Sequence, residues 1–396
     1  MELSKKKLFK ITNQDETERG YLYKDGLNVY DQMDEKFRDR KFYFTDASNI
    51  FNFFDHDVFL REITLPFGDP DLVVKYNPMH CNCIQKYNEW ECNKIILGAR
   101  YFLGDIKTFT YLVSCGMNLD LCGQRKALIW ASKYGYIEIV KYLVSVGTNP
   151  RYDNDYALRL ASERGHFELV KYLISIGADV HTTYEYPLRS ASAGGHLEIV
   201  KYLISIGANP NYGPDYALRS ACENGKIEVA KYLLTQKTDI HKKNDYVIRM
   251  AAKNGHLDMV KYLVSLGANH RSDNDYALRF ASANGHIDVV KYLTELGANA
   301  RADSDYPVRS AAKYGHLDVV KYLVGYGADI KSNNNFAVKK ASKHGHLEVV
   351  KYLVSLGANV KISNNYAINT ANKYKRFDVV EYLLTLGQSY MDEHKN

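Results

Sequence analysis

From residue 125 to residue 394 the chain writes the same 30-residue unit nine times, with no insertion between units. A period that strict constrains the fold more than any other feature, because one unit is too short to enclose a core and must be covered by its neighbours. A tyrosine returns at Tyr156, Tyr186, Tyr216, Tyr246, Tyr276 and Tyr306, and Phe336 and Tyr366 keep the beat. A glycine returns at Gly135, Gly165, Gly195, Gly225, Gly255, Gly285, Gly315 and Gly345. Lys-Tyr-Leu begins at Lys141 and at every thirtieth residue to Lys351.

The unit containing DYALRFASANGH (275–286) shows how each copy divides. Asp275 reads as an N-cap, Tyr276 to Asn284 as a short first helix, and Gly285 as its left-handed stop. Pro187 and Pro307 fit only the first turn of a helix. A second helix is expected from about 287 to 296, closing at Gly297. In the clearest copy Leu347, Val350, Leu353 and Val354 make one apolar face, which stacked neighbours would bury.

Ala-Ser/Ala-x-x-Gly-His, Val-Val-Lys-Tyr-Leu and Gly-Ala-Asn/Asp, as at 251–269, resemble the ankyrin repeat, with Tyr-Ala-Leu-Arg standing where that family writes Thr-Pro-Leu-His. The resemblance covers about three quarters of the chain and is closest to the ankyrin families of mimivirus-type giant viruses. It implies a mainly α helix-pair solenoid of about ten repeats whose concave face binds other proteins. The period of 30 falls short of the usual ~33, so the projecting β-hairpin fingers should be shortened. Residues 91–124 read as a degenerate capping repeat. The last unit drifts polar at Lys375, Arg376 and Glu381, as a terminal repeat should.

Residues 1–90 lack the repeat and carry short aromatic runs, KLFKIT, YLYKDGLNV, KFYFTD, FLREITL and DLVVKY. A small β-rich or α+β domain packed on the first repeat is expected, with Asp25-Gly26 as a hairpin turn.

Little points to catalysis. No phosphate-cradling glycine loop, nucleophile elbow or His-Glu-x-x-His is present, so a non-enzymatic protein without cofactor is expected. The one metal candidate, His80, Cys81 and Cys83 with Cys92 and His56, lacks a paired Cys-x-x-Cys, and free thiols are the plainer reading. The N-terminus has no apolar run of signal-peptide type and no stretch is long enough to span a bilayer, so a cytoplasmic protein is expected.

The repeated Arg159, Arg189, Arg219, Arg249, Arg279 and Arg309 each follow an acid by four residues, from Asp155 to Asp305, a spacing that pairs them on one helix face as structure. The Lys-Tyr-Leu lysines follow an acid by three residues and read as a solvated outer face. Function should lie where residues vary inside the fixed frame, in the two residues before each helix-ending glycine and in a loop line that includes Lys331 and Lys361. Toward the C-terminus Asn335 and Asn365 replace the acids while lysines accumulate. Lys313, Tyr314, Lys331, Lys339, Lys340, Lys343, His344, Lys361, Lys373 and Tyr374 are therefore the expected partner-binding residues. The net charge is only +6 over 52 basic and 46 acidic residues. An acidic or phosphorylated protein partner fits this better than nucleic acid, for which stacking platforms are lacking. A monomeric scaffold is the leading reading. A substrate adaptor for ubiquitin ligation, recruiting the ligase through residues 1–90, is the alternative.

Overall fold

The computed structural model describes residues 3–18, 21–29, 41–54, 59–80, 86–360 and 362–393. The chain forms two compact units, residues 1–183 and 184–396. It is mainly α, with a strand-rich N-terminal region.

The first unit holds the strands β1 (Leu8–Thr12), β2 (Thr17–Glu18), β3 (Tyr21–Leu22), β4 (Gly26–Val29), β5 (Phe42–Asp46), β6 (Phe59–Thr64), β7 (Val74–His80), β8 (Lys86–Cys92) and β9 (Lys94–Phe102), of which the five aromatic runs supply β1 and β3 to β7. Seven of them form one sheet in the order β4-β9-β6-β1-β5-β8-β7, and β2 pairs with β3. Phe42, Phe44, Tyr23, Ile95 and Trp90 fill one side of it. The sheet runs past residue 90, to Phe102.

The expected hairpin at Asp25-Gly26 does not form, because β3 pairs with β2 while β4 pairs with β9. The buried Asn28 explains this. Its amide donates to the carbonyls of Lys24 and Gly26, and its oxygen accepts from the Lys24 N–H, so the groups a hairpin partner would need are taken. His56, Cys81 and Cys83 lie outside the described residues, as does the side chain of His80. Cys92 is buried in the sheet core, and burial pushes its thiol up to about 12, which makes it inert.

The sheet meets the helices through aromatic contacts. Tyr111, on the helix Ile106–Ser114, packs edge-on against Phe9 and donates a hydrogen bond to Glu62. Phe54 sits 4.7 Å from the Trp130 ring of the helix Leu121–Tyr134. Among the described residues, 105–120 carry one helix instead of a pair, and a 3-10 segment (Ala47–Phe53) contacts the first helix of the next repeat. The sheet domain thus supplies part of the N-terminal cap.

From residue 121 onward each unit gives the expected two helices, such as Ser272–Ala283 with Ile287–Glu295. Val289, Val290 and Leu293 of the second helix are buried, and so are Ala277, Leu278 and Ala281 of the first. Burying such a valine or leucine contributes about 1.5–3 kcal/mol, repeated once per unit.

The start of the first helix departs from expectation. Asp273, Asn274 and Asp275 all lie in the left-handed region (φ 57, 55 and 54°) before the right-handed helix begins. The same three-residue left-handed turn recurs at 153–155, 183–185, 243–245, 303–305 and 333–335. Most of these residues are Asp or Asn, which tolerate this region best among residues with a side chain. The turn takes the place of the family's β-hairpin finger, and no strand occurs among described residues beyond Phe102.

Asp275 is therefore not a cap of its own helix. Its buried carboxylate accepts the Asn299 N–H at 3.2 Å, 24 residues ahead in the next repeat, and the Arg271 Nε–H at 3.2 Å. Asp215, Asp245 and Asp305 accept the N–H of Asp239, Asn269 and Asp329 in the same way, and Asn335 accepts that of Asn359.

A second seam, made by histidine, joins the other end of several first helices. The Nε2–H of His256, His316 and His346 donates to the carbonyls of Glu223, Ala283 and Lys313, each 33 residues back. His286 bonds to Lys253 likewise, and its pKa is lowered by burial first and then by His256 and His316 on either side. His346 is lowered too, again mainly by burial. A folded pKa below the unfolded one favours the neutral ring. The stabilisation is complete above about pH 6.5 and is lost as pH falls through the folded values. The unfolding midpoint should therefore drop between pH 7.5 and 5.5. Replacing His286 with lysine, which Lys226 supplies at that register natively, should flatten the drop. Equal pH profiles for the two proteins would contradict this account.

Candidate functional site

The tyrosine–arginine pattern is structural, though not in the expected pairing. With Asp275 in the left-handed turn, it no longer shares a helix face with Arg279. Arg279 instead donates to the Asp273 carbonyl of its own turn at 3.0 Å and to Asp303 of the next at 3.2 Å. Arg249 repeats this with Lys243 and Asp273, both at 2.7 Å. From Arg189 to Arg309 each arginine also lies between the aromatic ring of its own repeat and that of the next. Arg219 is 5.5 Å from Tyr216 and 3.6 Å from Tyr246, and Arg309 is 5.8 Å from Tyr306 and 5.1 Å from Phe336. These stacked cations hold neighbouring repeats together, and little of them is left for a partner. Lys339 belongs to this ladder, 5.5 Å from Tyr366. The outer lysines show their i,i+3 pairs, for example Lys201–Glu198 at 2.8 Å and Lys351–Glu348 at 2.8 Å.

The loop line is largely neutralised. Arg151, Arg271 and Arg301 each pair with the buried aspartate four residues on, at 3.2 Å, and His241 with Asp245 at 2.8 Å. Lys331 differs, because Asn335 keeps the hydrogen bond of the clamp but brings no charge. Lys331 stands at the opposite end of its helix from Lys343 and His344. Lys361 lies outside the described residues.

Seven of the ten expected residues come together where the first helices of the last repeats end. Lys313 donates to the Tyr314 phenol oxygen at 2.9 Å, and its Nζ lies 4.5 Å from that ring. Lys343 lies 4.7 Å from the Tyr374 ring. Its hydrogen bond and charge, with Lys373 and Lys340 adding to them, hold the Tyr374 phenol below its ordinary value. His344 stacks on His346 at 6.2 Å. Burial, followed by His346, Lys343, Lys313 and Lys340, lowers its pKa. Lys340 is half-buried, 5.0 Å from the Phe336 ring. Its pKa is lowered by burial first and then by Lys343 and Lys313. Lys373 and Tyr374 are exposed beside this group. No cluster of His, Cys, Asp or Glu suited to a metal ion occurs among the described residues. No helix there is long and apolar enough to cross a membrane.

The helix-pair geometry agrees with the family comparison. The model described as Ankyrin repeats (3 copies) matches residues 95–184, 158–244, 218–304, 248–334 and 308–394. This chain belongs to the ankyrin-repeat family. Its relatives among ankyrin-repeat proteins include R868 of Acanthamoeba polyphaga mimivirus, named for those repeats. It is 37% identical over 150 residues, covering 36% of this chain and 68% of R868. The uncharacterized protein R869 of the same virus is 34% identical over 148 residues, covering 36% of this chain and all of R869. The ankyrin repeat protein R838 is 35% identical over 156 residues, covering 37% of this chain and 55% of R838.

Proposed function

We propose that this ankyrin-repeat chain is a non-enzymatic scaffold that holds an acidic or phosphorylated partner protein on the concave face of its last three repeats. One observation carries the reading. Lys313, Lys343 and Lys373 occupy one register in three successive repeats, whereas in the six units before them that register reads Lys133, Glu163, Ala193, Glu223, Lys253 and Ala283. The cations lie at the ends of helices held by the clamp, the ladder and the histidine seam. A partner therefore meets a preformed surface and loses little entropy in ordering it. The mimivirus relatives support reading this chain as a viral protein; we further propose that it acts as a monomer on host or viral proteins in the host cytoplasm. The adaptor alternative rests on residues 1–90 and stays secondary, since the observation that favours binding lies at the other end of the chain.

Charge reversal tests the proposal. Capture of partner from infected-cell lysate by the Lys313→Glu, Lys343→Glu, Lys373→Glu variant should weaken at least about tenfold and lose most of its salt dependence. Capture equal to that by the unaltered chain would sink it.

A further inference from the structure

Lys340 is out of place in the repeat. Its register is filled in the other units by Trp130, Leu160, Ser190, Ser220, Met250, Phe280, Ser310 and Thr370, so it alone is charged. The position turns inward: Trp130, Leu160, Ser190, Met250 and Ser310 are buried there, and Ser220, Phe280 and Thr370 half-buried. The half-buried Lys340 lies one turn before Lys343 on the helix Ser332–His344, with its ammonium 5.0 Å from the Phe336 ring, and among the described residues it pairs with no carboxylate; the charges of Lys343 and Lys313 act on it as well. Structure alone gives no reason for a lysine here, since serine fills the register in three other units. A half-desolvated cation held beside two others is a repulsion that an anion would relieve.

The neighbouring groups specify that anion. Lys313 donates to the Tyr314 phenol oxygen, and the Lys343 ammonium lies 4.7 Å from the Tyr374 ring, so neither lysine takes up a phenol proton, which can donate to an anion. Three ammonium groups and two phenol O–H groups make a donor-rich, acceptor-poor site. A side-chain carboxylate brings one charge and two oxygens, whereas a phosphomonoester brings nearly two charges and three terminal oxygens. Because Lys340 is recessed among the helix ends, a projecting side chain reaches it more readily than a flat acidic surface does.

We propose that Lys313, Lys340 and Lys343, with the phenols of Tyr314 and Tyr374, form a seat for a phosphorylated side chain of the partner protein. The inference rests on the proposed function and narrows its ligand. Lys340 and Lys343 take the phosphate oxygens from one side, Lys313 from the preceding repeat takes them from the other, and the phenols complete the shell.

The probe is a fluorescent pool of short peptides with a central phosphoserine and neutral flanks, titrated into the full chain. Twin pools carry serine or glutamate at the centre. The phosphoserine pool should bind at least about tenfold tighter than the glutamate pool, and Lys340→Ser should remove most of that advantage. Lys340→Arg should retain binding. Lys340→Ser copies a residue native to the register, so its unfolding midpoint should equal or exceed that of the unaltered chain, which separates lost binding from lost fold. Failure of the phosphoserine pool to bind, equal binding of the glutamate pool, or an unaffected Lys340→Ser variant each overturns the seat. Displacement of the peptide by an unstructured oligonucleotide with the same Lys340 dependence overturns it as well, in favour of a nucleic-acid site. If both anionic pools bind equally and the triple reversal weakens them, the phosphate seat falls and the acidic-partner reading stands. If neither pool binds and partner capture ignores the triple reversal, both fall.

Discussion

Replacing Asp275 with alanine should cost about 2–4 kcal/mol of stability, while replacing it with asparagine should cost well under half of that. The carboxylate is buried and accepts two donors, the Asn299 N–H and the Arg271 Nε–H. Alanine would leave the backbone donor of the next repeat without its acceptor, and a lost partner for a buried group costs about 1–3 kcal/mol. It would also put a residue with no left-handed preference at φ 54°, adding about 1 kcal/mol. Asparagine keeps both the conformation and the acceptor, as Asn335 already does toward Asn359. Urea unfolding of the two variants provides the comparison. Equal and mild losses would show that the clamp contributes nothing.

Replacing Gly285 with alanine should cost about 2–4 kcal/mol, and the same change at Gly297 only about 1–2 kcal/mol. Both glycines have positive φ, +79° and +85°, so both substitutions carry the left-handed penalty. The difference lies in what the new methyl meets. At Gly285 it would sit 2.5 Å from His316 Nδ1, whereas at Gly297 nothing lies within 4 Å. His316 would have to swing away and give up its bond to the Ala283 carbonyl. Thermal unfolding of the two variants separates a packing cost from a purely conformational one. Equal losses would mean that the histidine ring moves aside freely.

Much of this fold was legible because its signals are local. The period, the helix-ending glycines and the apolar faces of the second helices follow from spacing and residue type. The left-handed turn was hidden because Asp-Asn-Asp reads equally well as a cap, and only the backbone angles distinguish the two. That one difference redirected the salt bridges, moving Arg279 from Asp275 to Asp303. The strand Lys86–Cys92 escaped notice because KYNEWEC alternates poorly, its order coming from pairing on both sides. At the candidate site the lysine accumulation was visible. That Lys340 stands on an interior register became significant only once burial showed what its counterparts do.

The clamp also bears on how such a gene can change. Each anchoring side chain finds its partner by counting forward a fixed 24 residues, and each histidine by counting back 33. A single codon gained or lost inside that interval would put the partners on either side of it out of step. Copying or deleting a whole unit of thirty codons would leave all the counts intact. Lineages carrying this architecture should therefore differ by whole repeats and by point substitutions at the helix ends, with small insertions absent from the interior of the array.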